Sequence, residues 1–358
     1  MSHFRLLALL LVVSPAMAGE PTATTTAAPA LASTERCDAV VADVHGSIQA
    51  AVDAMAGGGR VCVATGRYAE RVHVRSGGTT ARPLVIAATG AVSTEGFVVT
   101  ADFVHVVGFA VTNPHRDDDA GRDFGIYLAG RGLRAEANHV WFTAADGIGC
   151  EQKAPFCPGA VIRGNVVHGA EGIGIVTYGD DVVIEANDVS GSTAYTSIDA
   201  DGIRFFGARA LVRANWVHDI KASGYTGGQD PHTDCFQTFP KSGFAPRDVV
   251  VADNVCERVD DQCMVADGTG DGDGATLEFR GNTCANLGSQ AILSRRLPAL
   301  RIVGNRFERT IKFWGVNLMD GAHSALVSGN TFVGEHQPVK ADASSEPGLV
   351  VADNEHVP

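Results

Sequence analysis

The chain has 358 residues with 28 basic and 41 acidic side chains, a formal net charge of −13 with histidine neutral. That balance repels phosphate backbones and anionic membrane surfaces, so neither nucleic acid nor a membrane is expected as a partner. It still allows an acidic polysaccharide, provided a cleft gathers its own Arg side chains or a bridging cation.

Residues 1–18, MSHFRLLALLLVVSPAMA, have a basic start, a short apolar run and a small-residue ending. This is the pattern of a secretory signal cleaved near Ala18, and the apolar run is too short to anchor in a bilayer. Residues 19–35 are rich in Thr, Ala and Pro and read as a flexible leader. The folded domain then spans 36–358, in an extracellular or periplasmic compartment that permits disulfides. Eight cysteines leave 105 pairings open. Cys235 and Cys263 fall at equivalent positions of consecutive repeats, as do Cys256 and Cys284. Cys150 and Cys157 flank a short loop, while Cys37 and Cys62 bracket the first helix. The alternative is that the stacked cysteines are small buried apolar residues.

One helix is expected, over Ser47–Met55. Ser47 is the N-cap, Ile48, Ala51, Val52 and Met55 share a face, and Gly57-Gly58-Gly59 ends it. After residue 60 helical periodicity nearly vanishes and a repeat takes over. Phe124-Gly125-Ile126, Asp146-Gly147-Ile148, Glu171-Gly172-Ile173, Asp201-Gly202-Ile203, Asp234-Cys235-Phe236, Gln262-Cys263-Met264, Gln290-Ala291-Ile292 and Trp314-Gly315-Val316 align at intervals of 22 to 33 residues. A second column holds Asn138, Asn165, Asn187, Asn215, Asn254, Asn282, Asn305, Asn330 and Asn354, each between short β-branched runs. Short strands at this period, separated by Gly and Asn turns, predict an all-β, right-handed, single-stranded parallel β-helix with the helix as its N-terminal cap. The Asn column reads as a structural ladder whose residues tolerate a left-handed backbone at the turn.

The helix followed by V-x-V-x-x-G-x-Y (VCVATGRY) and then irregular coils resembles the pectate-lyase-like β-helix superfamily, over roughly residues 37–358. That resemblance implies polysaccharide chemistry: lyases, inverting hydrolases, epimerases or phage depolymerases. It does not choose among them.

Chemistry is expected where the repeat grows its longest insertion, between Asp201 and Asp234. Ile203 points inward, so Arg204 points outward, as does Gln237 on the next strand. The bend column reads Glu171, Asp201, Asp234 and Gln262 with Asp261 beside it. Asp146 and Glu171 are read as ordinary turn residues. Carboxylates stacked at about 5 Å raise one another's pKa unless a cation or Arg intervenes. Asp201, Asp234 and Asp261 are therefore candidate calcium ligands or catalytic acids. Asp267, Asp271 and Asp273 lie in VADGTGDGDGATL, read as an inter-strand loop.

Asp230-Pro231-His232-Thr233-Asp234 resembles the Asp-Pro-His-Asp signature of mannuronan C5-epimerases. In that family a His and a nearby Tyr exchange the C5 proton of a uronate. By resemblance His232 and Tyr225 take those roles, Asp230 shapes the site, and Asp234 lies one residue later than the family's second acid. Ala200-Asp201-Gly202 and Thr233-Asp234-Cys235 also resemble strand starts of polygalacturonase-type hydrolases, although that family's Gly-His-Gly and Arg-Ile-Lys have no counterpart here.

Uronate chemistry needs a base at C5, a neutraliser for the carboxylate and an acid. Arg204 is the expected neutraliser, Arg295 and Arg296 are further candidates, and Asp199, Asp230, Asp261 and Gln237 are candidate substrate contacts. Phe239, Phe244 and Tyr178 are candidate stacking surfaces for sugar rings. The leading expectation is a secreted, monomeric enzyme acting on a uronate-containing glycan by β-elimination or C5 epimerisation. The alternatives are an inverting glycoside hydrolase using Asp201, Asp234 and Asp261, and a non-catalytic glycan-binding β-helix.

Overall fold

Short β-branched runs that pair in parallel cannot bury both faces alone, so they stack into coils around one elongated core. The computed structural model describes residues 36–112, 123–192, 199–223, 231–269, 276–310, 314–334 and 337–358. The expected signal and leader, Tyr225, Asp230, Asp271 and Asp273 lie outside the described residues. Among the described residues the fold is a parallel β-helix of three sheets with 13, 12 and 11 strands. Each coil visits them in turn, as in Arg134–Glu136, His139–Trp141 and Ile148–Gly149. Ile126, Ile148, Ile175, Ile203, Phe236, Met264, Ile292 and Val316 form one register column in the core.

That register corrects one unit of the repeat. Ile148 pairs with Ile175, so the third unit is Ile173-Gly174-Ile175, and Glu171 stands two residues outside the bend column. Two Gly-Ile pairs in tandem made the frame ambiguous, and the strand chosen is the one that also buries Val176 and Tyr178.

The expected helix is observed as Ile48–Asp53, with Ser47 Oγ accepting from the Ala50 N–H. Glu70 supplies what the sequence did not suggest, accepting from the Ile48 and Gln49 N–H groups at the helix start. A strand not anticipated, Ala39–Val41, precedes the helix and pairs with Gly59–Val63.

The Asn ladder runs down the corner between the 13- and 12-stranded sheets. Asn187, for example, donates from both its backbone N–H and its Nδ2 to Asn215 Oδ1, at 3.0 and 2.9 Å. The left-handed residue is not the Asn but the one before it, such as Ala186 (φ 54°) or Ala214 (φ 54°). The Asn side chain is needed inside, where that of Asn215 satisfies four backbone or amide groups, so the strain falls on its neighbour.

All eight cysteines pair, as Cys37–Cys62, Cys150–Cys157, Cys235–Cys256 and Cys263–Cys284. The equivalent positions do stack, Cys256 on Cys284. The bonds nevertheless run across the core between sheets, so the reading of these cysteines as merely apolar filler is set aside. Among the described residues no helix is long and apolar enough to cross a membrane.

Candidate functional site

The outer face of the 11-stranded sheet carries a groove of about 1080 Å³. Its floor is one register column, Val176, Arg204, Gln237 and Val265, on four consecutive coils. Alternation along each strand puts the core residue in and these side chains toward the groove. Asp123, Asp146, Tyr178, Asp199, His232, Asp267, Arg295 and Arg296 also line it, with Lys153 and Lys241 from loops.

Arg204 faces the groove but is buried, which alters the role expected for it. Its Nε and Nη2 bond Asp201 Oδ2, and Nη2 bonds Asp199 Oδ1 at 2.8 Å. Burial works against the guanidinium charge, but Asp201 and Asp199 outweigh it and push its pKa up. A buried cation needs such partners, and with both carboxylates committed little charge is left for a substrate. Arg295 is likewise held by Asp267, through Nε and Nη2 at 3.1 and 2.7 Å. Asp267 is the last residue of the strand Met264–Asp267, not a loop residue. In contrast Lys153, Lys241 and Arg296 have no ion pair among the described residues, and Lys241 Nζ stands 6.0 Å from the Phe239 ring centroid.

His232 is exposed, stacks on Asp199 in the preceding coil, and places Nδ1 3.8 Å from Asp199 Oδ1. His232 and Arg204 thus meet the same carboxylate oxygen from two sides. Burial works to raise the Asp199 pKa, but the Arg204 hydrogen bond outweighs it and keeps the carboxylate ionised. Gln237 donates from Nε2 to Asp234 at 3.2 Å, and its Oε1 has no hydrogen-bond partner among the described residues.

Two groups that sequence reasoning undervalued stand here. Asp146, read as a turn residue, is only half-buried as a residue, yet its carboxyl is enclosed enough that burial pushes its pKa up to about 7. The Ile173 N–H and Arg204 oppose that rise, while Asp199 and Glu171 add to it. Tyr178 stacks on Phe206 at 4.4 Å between ring centroids rather than waiting for a sugar. Burial pushes its phenol up to about 12, so it stays protonated at neutral pH. Asp146 was visible in the bend column. Nothing local marks Tyr178, whose position depends on the register of its coil.

The acid column has a different use from the one expected. Asp146 Oδ1 accepts from the Ile173 N–H at 2.7 Å, Asp201 Oδ1 from Asp234 at 3.0 Å and Asp234 Oδ1 from Gln262 at 2.9 Å. Each carboxylate caps the backbone of the next rung, a second ladder at the corner between the 12- and 11-stranded sheets. Asp201 and Asp234 are buried and, like Asp261, do not line the groove. Asp261 Oδ2 accepts from Thr233 N–H and Oγ1. These three residues do not fit a calcium ion, because their oxygens already bind backbone N–H groups, Arg204, Gln237 or Thr233 and do not converge on a shared point. Among the described residues no cluster of three or more His, Cys, Asp or Glu is arranged to hold a metal. For the same reason the trio cannot flank a sugar from the groove.

No family model matches the chain, and no curated protein matches it in sequence. Solved structures do share its fold. The A-module of a mannuronan C-5 epimerase from Azotobacter vinelandii superposes with a TM-score of 0.61 at 17% identity, over 90% of this chain and 94% of that one. An alginate lyase from Paenibacillus matches at 0.56 and 14%, over 89% and 98%. An exopolygalacturonase from Thermotoga maritima matches at 0.58 and 11%, over 86% of each chain. At these identities the likeness shows the architecture alone: the chain has a parallel β-helix fold like that of these proteins.

Proposed function

We propose that this chain is a secreted enzyme that binds a uronate-containing polysaccharide along the groove of the 11-stranded sheet and removes the C5 proton of a bound uronate. The observation that carries this reading is the meeting, in one groove, of two proton-transfer groups with uncommitted cations. His232 stands against Asp199, Tyr178 is kept protonated by burial, and Lys241, Arg296 and Lys153 lack carboxylate partners among the described residues. The fold shared with a mannuronan epimerase and an alginate lyase supports the substrate class.

The uronate carboxylate lies against Lys241 and Arg296, which stabilise the charge that spreads onto it when C5 loses its proton. His232 takes that proton on its imidazole, whose Nδ1 stands 3.8 Å from Asp199 Oδ1 and whose Nε2 is left for the substrate. The electron pair of the C5–H bond forms the C4–C5 double bond, and the C4–O bond breaks. Tyr178 gives its proton to the departing oxygen. Gln237 Oε1, buried and unpartnered at the groove floor, accepts from a sugar hydroxyl once its side chain turns outward. If the intermediate is instead reprotonated at C5 from the other face, the same groups carry out epimerisation. Calcium has no part in this scheme.

The test is a panel of acidic polysaccharides assayed for unsaturated uronate ends, for reducing ends and for C5 proton exchange with deuterated water. Chromophore or exchange that disappears in His232→Ala is the expected result. New reducing ends without either signal would assign hydrolysis and move the acid role to Asp146, the groove carboxyl with a pKa near 7.

A further inference from the structure

The 12-stranded sheet presents its outward residues on a separate face of the solenoid, and there the side chains change character. Two register columns on four successive coils read His139, Val166, Asp188, Trp216 and Trp141, His168, Ser190, His218. All of these but Trp216, together with Phe142, enclose a shallow depression of about 360 Å³, and Trp216 stands beside it, stacked on His218.

This face is built. The Trp216 ring stacks on His218 at 3.8 Å between centroids and fixes its edge through Nε1 to Glu257 Oε1 at 3.0 Å. The imidazole beneath is locked in turn, Nε2 to Asp188 at 3.0 Å and Nδ1 to Asp219 at 2.6 Å. His139 leans on Trp141 at 4.7 Å. Phe142 is 52% exposed and holds a left-handed backbone (φ 51°), an unfavourable combination for a bulky side chain. The equivalent turn residues of the next two coils are Gly169 and Gly191. A Cβ at Gly169 would lie 3.0 Å from the Phe142 ring, and one at Gly191 would lie 2.4 Å from His168. The glycines make room for the rings, so the exposed aromatics are seated rather than left over.

We infer that this face is a second oligosaccharide-binding site, with Trp216 at one end, Trp141 and Phe142 at the other, and Asp188, Ser190 and His168 as hydrogen-bonding groups between them. The two Trp strands are three coils apart, about 14 Å along the axis. That span exceeds one sugar ring and suits an extended glycan. Aromatic faces take the C–H face of a sugar while the polar floor takes its hydroxyls. The net charge of −13 opposes a nucleic acid on the same rings. A protein partner would favour an apolar, uncharged centre, whereas Asp188 and three histidines occupy this one. The choice of ligand class rests on the proposed glycan reading of the groove, but the site itself does not.

The chain has three tryptophans, two of them on this face and none lining the groove. The third, Trp314, lies under the Lys340 ammonium at 3.8 Å. In a Trp314→Phe background, titration with an oligomannuronate, an oligogalacturonate and a neutral cello-oligosaccharide should give a saturable change in Trp emission with at least one of them. Calorimetry should show that affinity fall at least tenfold in Trp216→Ala and in Phe142→Ala, with turnover of short substrates in the groove unchanged. Emission that no probe moves, or affinity unchanged in both variants, overturns the inference. A saturable response in a protein with no catalytic activity would retain this site and overturn the groove reading instead.

Discussion

Asp146 and Tyr178 show how burial in one groove sets two protonation states. Asp146 has a folded pKa near 7 against an ordinary value of 3.8, so the folded chain holds a proton there that the unfolded chain releases first. Its contribution to stability is therefore present below about pH 4 and is lost as pH rises to about 7, the opposite of an ion-paired carboxylate. Asp146→Asn keeps the acceptor for the Ile173 N–H and removes the ionisation. Thermal melts should find it close to wild type near pH 4 and more stable than wild type near pH 8; a difference that does not grow with pH would refute the buried carboxyl. For the chemistry, His232→Ala should lower kcat by about 10²–10⁴-fold with little change in KM, as expected for a group used in proton transfer. Lys241→Ala should raise KM and lower kcat together, since Lys241 holds the bound carboxylate and also meets the charge that spreads onto it when C5 loses its proton. A Lys241 variant whose effect falls on kcat alone would contradict that.

At the scale of the element, the coils are held by two side-chain ladders with the same logic. On one corner each Asn accepts from the backbone of the rung before it; on another Asp146, Asp201 and Asp234 accept from the rung after. Both ladders satisfy N–H groups that the bends would otherwise leave buried and unpaired. Asn215→Ala removes the acceptor for the Asn187 N–H and Nδ2 together. Two buried donors left without partners should destabilise the chain by roughly 2–4 kcal/mol in denaturant unfolding, whereas an exposed Asn→Ala change would be near neutral. The disulfides act at the same scale. Cys235–Cys256 and Cys263–Cys284 each close a sequence separation of 21, and removing one by paired Ala substitution should lower stability by about 3 kcal/mol. Urea unfolding of that double variant measures it, and an unchanged midpoint would show that the stacked coils alone constrain the chain.

For the whole molecule, a solenoid presents its outward residues as columns, so any side chain can be repeated or varied along a face without disturbing the core. The groove face uses this to bring Tyr178, Arg204, and Gln237 with His232 from three successive coils into one space. The sequence by itself determined the coil, because alternation, turn residues and the Asn column are local signals repeated at each turn. It also determined that Arg204 and Gln237 share an outward column with the His232 segment beside them. Only the tertiary structure decided which carboxylates are free. Asp201 and Asp234 looked catalytic as residue types, but the next coil's backbone N–H groups and Arg204 hold them inside the wall. The frame at Glu171 was decided there too, because two Gly-Ile pairs read alike until a neighbouring strand selects one. Burial, hydrogen-bond partners and lateral register depend on the coil above and the coil below, tens of residues away in the chain, and no local pattern encodes them.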